Sequence, residues 1–289
     1  MENETILLVG HGSRGAGGNQ EVEAFANEWR ARHPGRRVEL CFIEFADVLL
    51  PTGLDEAAYG AKQVIVVPFI LNAAGHVKME IPEAVAVARI RHPGVDFYIT
   101  PHLGVEEPLL KVVRRGLHRT MAAMDFPDPR NTGVVLLARG SSDPAANGEM
   151  ARMARWLYEE TDHDLVELAF TGITFPRLEA VIQRLDRLGM TQIAIVPYYL
   201  FTGTLMDRIK RQVTRLRQQY PRLWIEHSAH FGFEPEISEL LDKRIQPDND
   251  AGLLALLECD GCPYRKTAKT EGHHHIDAGG CAHRHKEHR

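Results

Sequence analysis

The chain states one strand-and-loop pattern twice, and that repetition limits the folds open to it more than any other feature. Ile6-Leu7-Leu8-Val9-Gly10-His11-Gly12-Ser13-Arg14 returns as Val134-Val135-Leu136-Leu137-Ala138-Arg139-Gly140-Ser141-Ser142. Each copy is an apolar run too short for a helix and closed by small residues, the mark of a buried strand that ends in a loop. The match extends well beyond these runs. At a displacement of 128 residues, Asn19 answers Asn147, Val38-Glu39-Leu40 answers Val166-Glu167-Leu168, Pro93 answers Pro221, and His102 and Gly104 answer His230 and Gly232. At 129, Val67-Pro68-Phe69 answers Val196-Pro197-Tyr198. A tandem duplication accounts for matches so widely spread.

Within the first unit, strands and helices alternate. A helix is predicted from Asn19 to Arg32, with Val22, Phe25, Ala26 and Trp29 at helical spacing, and strand two from Val38 to Phe42. A short helix near Leu54 to Tyr59 leads to strand three at Val64 to Val67, followed by a loop from Phe69 to Met79. A helix from about Pro82, strand four at Phe97 to Ile99 and a helix from Glu107 to Met124 complete the unit. The alternation implies parallel strands with right-handed crossovers. The expected fold class is therefore α/β: two similar lobes, each a parallel sheet flanked by helices, facing one another across a cleft. The expected organisation is an active lobe over 1–124, a linker over 125–131, a degenerate lobe over 132–244, and a Cys/His-rich, disordered tail over 245–289.

In the common doubly wound order 2-1-3-4, strands one and three are neighbours, and ligands bind outside their carboxyl ends. His11 follows strand one, and His76 stands in the loop after strand three, in Asn72-Ala73-Ala74-Gly75-His76-Val77-Lys78-Met79-Glu80, so both face one crevice. Glu44 closes strand two at the same edge, and Glu80 shares a face with His76 if that segment is helical. Two imidazoles with carboxylates suit a loosely held divalent transition metal, or proton transfer near neutral pH. The duplicate sharpens the assignment, because it has Arg139 opposite His11 and Leu205 opposite His76. Residues needed only for packing should survive in both copies, as His102 and His230 do. The second lobe offers instead a guanidinium, which binds no metal but grips carboxylates bidentately.

These motifs together resemble the class II tetrapyrrole chelatases: Gly-His-Gly-Ser-Arg after a strand, Phe42-Ile43-Glu44, Val67 to Leu71, and Gly75 to Pro82. The nearest pattern is that of the long, two-lobed sirohydrochlorin cobaltochelatases, over roughly residues 4 to 240. The resemblance implies two lobes around a cleft, His11 and His76 as ligands of the incoming metal, and cobalt insertion into sirohydrochlorin for cobalamin. Insertion of iron for siroheme, or nonenzymatic metal carriage, is the alternative. Glu80 and Glu44 are candidates to assist catalysis, and Ser13, Arg14 and Arg139 to hold the polyanionic macrocycle.

Gly10 to Gly15 also fits G-x-G-x-x-G, but a dinucleotide site needs the helix to begin at that loop, and here it is expected nearer Asn19. A net charge of -5 offers no footprint for nucleic acid. No apolar run approaches the roughly 18 residues of a membrane helix, and the start lacks a signal peptide's basic region, so a cytoplasmic protein is expected, monomeric by its duplication. Of four cysteines, Cys41 reads as core packing, whereas Cys259, Cys262 and Cys281 stand in the tail beside His273, His274 and His275. An iron–sulfur cluster there needs a ligand besides these thiolates; zinc or cobalt buffering is the other reading.

Overall fold

The computed structural model describes residues 3–72 and 75–246, apart from the side chains of Ala16 and His76. The first half runs β1 (Glu4–Gly10), α1 (Ala16–Arg32), β2 (Arg37–Phe42), α2 (Leu50–Ala58) and β3 (Gln63–Pro68). A π turn (His76–Glu80) then runs straight into α3 (Ile81–Arg91), followed by β4 (Asp96–Ile99) and α4 (Glu107–Ala122). After a 3-10 turn at Pro129–Asn131 the second half repeats the series as β5 (Thr132–Ala138), α5 (Pro144–Glu159), β6 (Leu165–Phe170), α6 (Leu178–Arg187), β7 (Gln192–Pro197), α7 (Thr204–Gln219), β8 (Trp224–His227) and α8 (Pro235–Arg244). Both halves form all-parallel sheets, of order β2-β1-β3-β4 and β6-β5-β7-β8.

Alternation along the central strands sorts the core into layers. Leu7 and Val9 face Leu54, Ile81 and Val85 of α2 and α3, while Ile6 and Leu8 face a central layer with Phe25, Trp29 and Leu109. The inner face of the second sheet, through Val134, Leu136 and Ala138, joins that same central cluster; α6 and α7 cover its outer face. Each such buried side chain is worth about 1.5–3 kcal/mol, so the shared layer binds the halves into one body.

The last helix of each half crosses to the other. On α4, a Cβ at Gly116 would lie 3.3 Å from Ser228 Oγ and 3.6 Å from Val196 Cγ1 of the second sheet. On α8, Asp242 accepts from Trp29 Nε1 at 2.8 Å, and Ser238 Oγ from Arg32 Nη2 at 2.6 Å, both donors on α1. Arg115 and Arg119 of α4 clamp Glu234 and Glu236 at the start of α8. A cut in the chain near residue 125 therefore does not coincide with a gap in the packing.

Three local expectations are corrected. Helix α1 begins at Ala16 rather than Asn19, although Gly17 and Gly18 are poor helix formers. A Cβ at Gly18 would stand 2.9 Å from Thr202 O, so close packing on the second lobe selects the glycine. The segment carrying His76 is a π turn rather than a loop. Finally, Gly203 precedes α7 as Gly75 precedes the π turn, so Thr204, not Leu205, occupies the place of His76. The loop after β7 is one residue shorter than that after β3, which shifts the displacement from 129 back to 128.

Candidate active site

His11 is held by backbone on both sides. Ile43 N donates to Gly10 O at 3.0 Å and Glu44 N to His11 O at 3.1 Å, laying the loop after β1 along the loop after β2. Gly12 sits at φ +90°, where a Cβ would come within 1.7 Å of Glu44 O. No other residue fits there, and the fit carries the His11 and Glu44 side chains together, with Nδ1 3.5 Å from Glu44 Oε1.

The contacts of the imidazole fix its tautomer. Arg139 Nη1 lies 3.1 Å from His11 Nε2, and a guanidinium can only donate, so Nε2 carries a lone pair. The proton is on Nδ1, which donates to Gly12 O at 3.0 Å with Glu44 behind it. A neutral imidazole presenting Nε2, with its other nitrogen tied to carbonyl and carboxylate, is the form that ligates metals.

His76 opens the π turn after β3, the immediate neighbour of β1, with Val9 opposite Pro68 and Phe69 N donating to Val9 O at 2.9 Å. The two histidines thus leave adjacent parallel strands at the same edge, where an α/β sheet binds ligands. Glu80 closes the same turn and is half-buried. π turns are frequent at functional sites, and this one is pinned by a residue of the other lobe. Lys78 Nζ donates to Asp143 Oδ2 at 2.5 Å, with side chains only 14% and 4% exposed, while Asp143 Oδ1 caps α5 by accepting from Ala145 N at 2.9 Å.

Ser13 and Arg14 are placed differently from one another. Ser13 N receives support from Asn19 Oδ1 at 2.8 Å, and its hydroxyl accepts from Gly15 N at 3.2 Å. The second lobe repeats both contacts with Ser141, Asn147 and Asp143, as expected of loop-building residues. Arg14 is exposed, its guanidinium 4.7 Å above the Phe45 ring at the rim. The remaining glycines of the loop face the other lobe: a Cβ at Gly15 would meet Thr204 Cγ2 at 3.7 Å, and one at Gly17 would meet Thr202 Cγ2 at 3.6 Å. Although α1 does start at this loop, a protein surface occupies the space a pyrophosphate would need.

The family model described as CbiX matches twice, over residues 5–120 and 133–248. The chain belongs to the CbiX family. It is 33% identical over 275 residues to the sirohydrochlorin cobaltochelatase of Priestia megaterium, covering 94% of this chain and 88% of that one. It is 32% identical over 266 residues to the sirohydrochlorin ferrochelatase of Bacillus subtilis, covering 92% and 99%. Among solved structures, SirB from Bacillus subtilis with Fe3+ superposes with a TM-score of 0.75 at 30% identity, over 88% of this chain and 100% of that one. A SirB structure in complex with cobalt gives 0.71 at 28%, over 86% and 97%.

In this CbiX chain the duplicated loops share a backbone and differ in chemistry. Gly172 N donates to Arg139 O at 3.0 Å, as Glu44 N does to His11 O. Among the described residues no group of three or more His, Cys, Asp or Glu side chains that could hold a metal is assembled; at the end of β1 the candidate donors His11 and Glu44 lie 3.5 Å apart. His102 is buried, and His230 Nε2 meets Glu21 of α1 at 3.2 Å, where burial pushes the His230 pKa down against the pull of that carboxylate. Both belong to the lobe interface, the structural role their duplication implies. Burial likewise pushes the Cys41 thiol up to about 12, as for a packing residue. The tail candidates Cys259, Cys262, Cys281, His273, His274 and His275 lie outside the described residues. Sequence reasoning missed Lys78 and Asp143; the Asp143-Pro144 pair signals a helix start, but nothing local signals a partner in the other lobe.

Proposed function

We propose that this protein is a sirohydrochlorin chelatase that inserts cobalt, on the way to cobalamin. The observation that carries the reading is His11 Nε2, an unprotonated metal-binding nitrogen held at the cleft between two lobes with Glu44 behind it and Arg139 in front. Full-length similarity to proteins named as sirohydrochlorin chelatases supports the substrate.

Insertion exchanges the pair of pyrrolic protons for a divalent ion, with no net electron transfer. His11 and His76 present the ion through few bonds, so that the macrocycle nitrogens can displace them. Glu80 or Glu44 receives the protons. Arg139 leaves His11 as metal arrives and, with Arg14, steadies peripheral carboxylates; charge-assisted bonds of this kind fix orientation. Iron is the second reading, because the ferrochelatase relative is as similar as the cobaltochelatase and imidazoles bind both ions. Purified protein supplied with sirohydrochlorin and each metal in turn, followed by absorbance, tests the reading. Fastest insertion of cobalt is expected, and no insertion of any metal refutes it.

The tail is read as a metal-binding segment, its thiolates and imidazoles holding either an iron–sulfur cluster or buffered zinc or cobalt. No described helix is long and apolar enough to cross a membrane, and one chain already supplies both walls of the cleft. These features support a cytoplasmic monomer.

A further inference from the structure

The second lobe contains the counterpart of the metal site, and every acidic or metal-binding residue in it has been exchanged. The loops superpose bond for bond: Thr171 N donates to Ala138 O at 2.9 Å where Ile43 N donates to Gly10 O, and Gly140, at φ +87°, abuts Gly172 O as Gly12 abuts Glu44 O. On this shared frame Arg139 stands for His11, Gly172 for Glu44 and Thr204 for His76. Arg208, fifth residue of α7, stands for Glu80, fifth residue of the π turn. A third guanidinium joins them, since Arg177 Nη1 lies 3.7 Å from where a Gly172 side chain would begin. The space that holds a carboxylate in the first lobe is here open and bordered by cations.

None of these three arginines is ion-paired with a carboxylate among the described residues. Arg139 rests on His11, and Arg177 lies 4.8 Å over the exposed Phe175 ring. At the Arg139 backbone stands a hydroxyl pair: Thr171 Oγ1 donates to Arg139 O at 3.4 Å and lies 2.8 Å from Tyr199 Oη. Burial pushes the Tyr199 phenol up to about 12, against the Thr171 hydrogen bond and the charges of Arg139 and Arg208. The positive surface continues outward from Arg208 along a groove of about 290 Å3 beside Arg211 and Arg215. The carboxylate in that groove, Glu179, accepts from Gln212 Nε2 at 2.9 Å.

We propose that this place is an anion site, in which Arg139, Arg177 and Arg208 hold a peripheral carboxylate of the tetrapyrrole while the first lobe holds the metal. The inference rests on the chelatase reading for the identity of the ligand. Its physical basis is charge inversion on a duplicated frame: replacing carboxylates and imidazole by guanidinium converts a cation site into a carboxylate site without altering the backbone. The arrangement orients the macrocycle, since a carboxylate fixed in one lobe sets which edge of the ring faces the other.

The test uses the full chain with Arg177→Ala and Arg208→Ala, both at exposed or half-buried positions where folding is checked by circular dichroism. The probe is metal-free uroporphyrin, a polycarboxylate porphyrin, against its uncharged methyl ester, read by fluorescence. Each variant is expected to weaken uroporphyrin binding on the order of 10-fold, as for the loss of a charge-assisted hydrogen bond, and to leave methyl ester binding unchanged. The KM for sirohydrochlorin should rise by a similar factor, with kcat and cobalt affinity preserved, and Arg208→Lys should recover part of the loss. Unchanged uroporphyrin affinity in both alanine variants, or no uroporphyrin binding by the unaltered protein, overturns the site. Failure of the unaltered protein to insert metal would instead overturn the chelatase reading, with the uroporphyrin measurement still deciding the anion site.

Discussion

Removing Arg139 should tighten metal binding while weakening substrate binding. In the structure Arg139 Nη1 donates to His11 Nε2 at 3.1 Å, so the lone pair that a metal needs is already engaged. Any ion must displace that hydrogen bond. A bond to a charged partner is worth about 1.5–3 kcal/mol when sheltered. Arg139 is exposed, and solvent screening brings the figure to roughly 1 kcal/mol, a factor of about five. Arg139→Ala should therefore raise cobalt affinity in the absence of tetrapyrrole by up to about fivefold, measured by titration calorimetry against the unaltered protein. The same variant should raise the KM for sirohydrochlorin, since the guanidinium released by the metal no longer meets the macrocycle. The sequence alone leads to a different expectation, that metal affinity is unaffected, because only the folded chain brings residues 11 and 139 together. Weaker cobalt binding in Arg139→Ala would refute the competition and make the arginine a support for the metal site.

His11→Ala and His76→Ala should each abolish most insertion activity without unfolding the protein, with turnover read by absorbance and folding by circular dichroism. Lys78→Met breaks a buried ion pair between the lobes and strands Asp143, at a cost of about 3–5 kcal/mol; a thermal midpoint unchanged from that of the unaltered protein would show that the pair holds nothing. The Arg115 guanidinium, by hydrogen bonding, holds the Glu236 carboxyl below its ordinary range, so this contact stabilises the fold above the unfolded carboxylate pKa of about 4.3 and is lost as pH falls through the lower folded value. Glu236→Gln should accordingly flatten the acid limb of the thermal midpoint measured against pH. Truncation after Gln246, which keeps the buried Ile245, should retain insertion at saturating cobalt and lose it when cobalt is scarce; inactivity under both conditions would make the tail part of the site.

The sequence by itself determined whatever is written in local periodicity or in the repeat. The parallel sheets followed from alternation of apolar runs with amphipathic helices, and on the common doubly wound strand order His11, His76 and Glu44 were placed at one edge because parallel strands deliver their carboxyl ends to the same side. The contrast between the two copies singled out His11 and Arg139 without any knowledge of distance. What the sequence left undecided depends on contacts between segments more than a hundred residues apart. Gly10, Gly12 and Gly15 match a nucleotide-loop pattern that the sequence sets aside on a helix start expected near Asn19; the helix starts at Ala16, and what argues against the site is Thr202 to Thr204 of the other lobe lying against Gly15, Gly17 and Gly18. Asp143 is a legible helix cap, yet its bond to Lys78 has no local signature. The exchange of α4 and α8 between halves is likewise invisible to periodicity, which marks a helix's apolar face but not the surface that covers it. Even the placement of Thr204 opposite His76 waited on the structure, since a single deletion in a loop moves the register of a repeat and only the start of α7 shows where it fell.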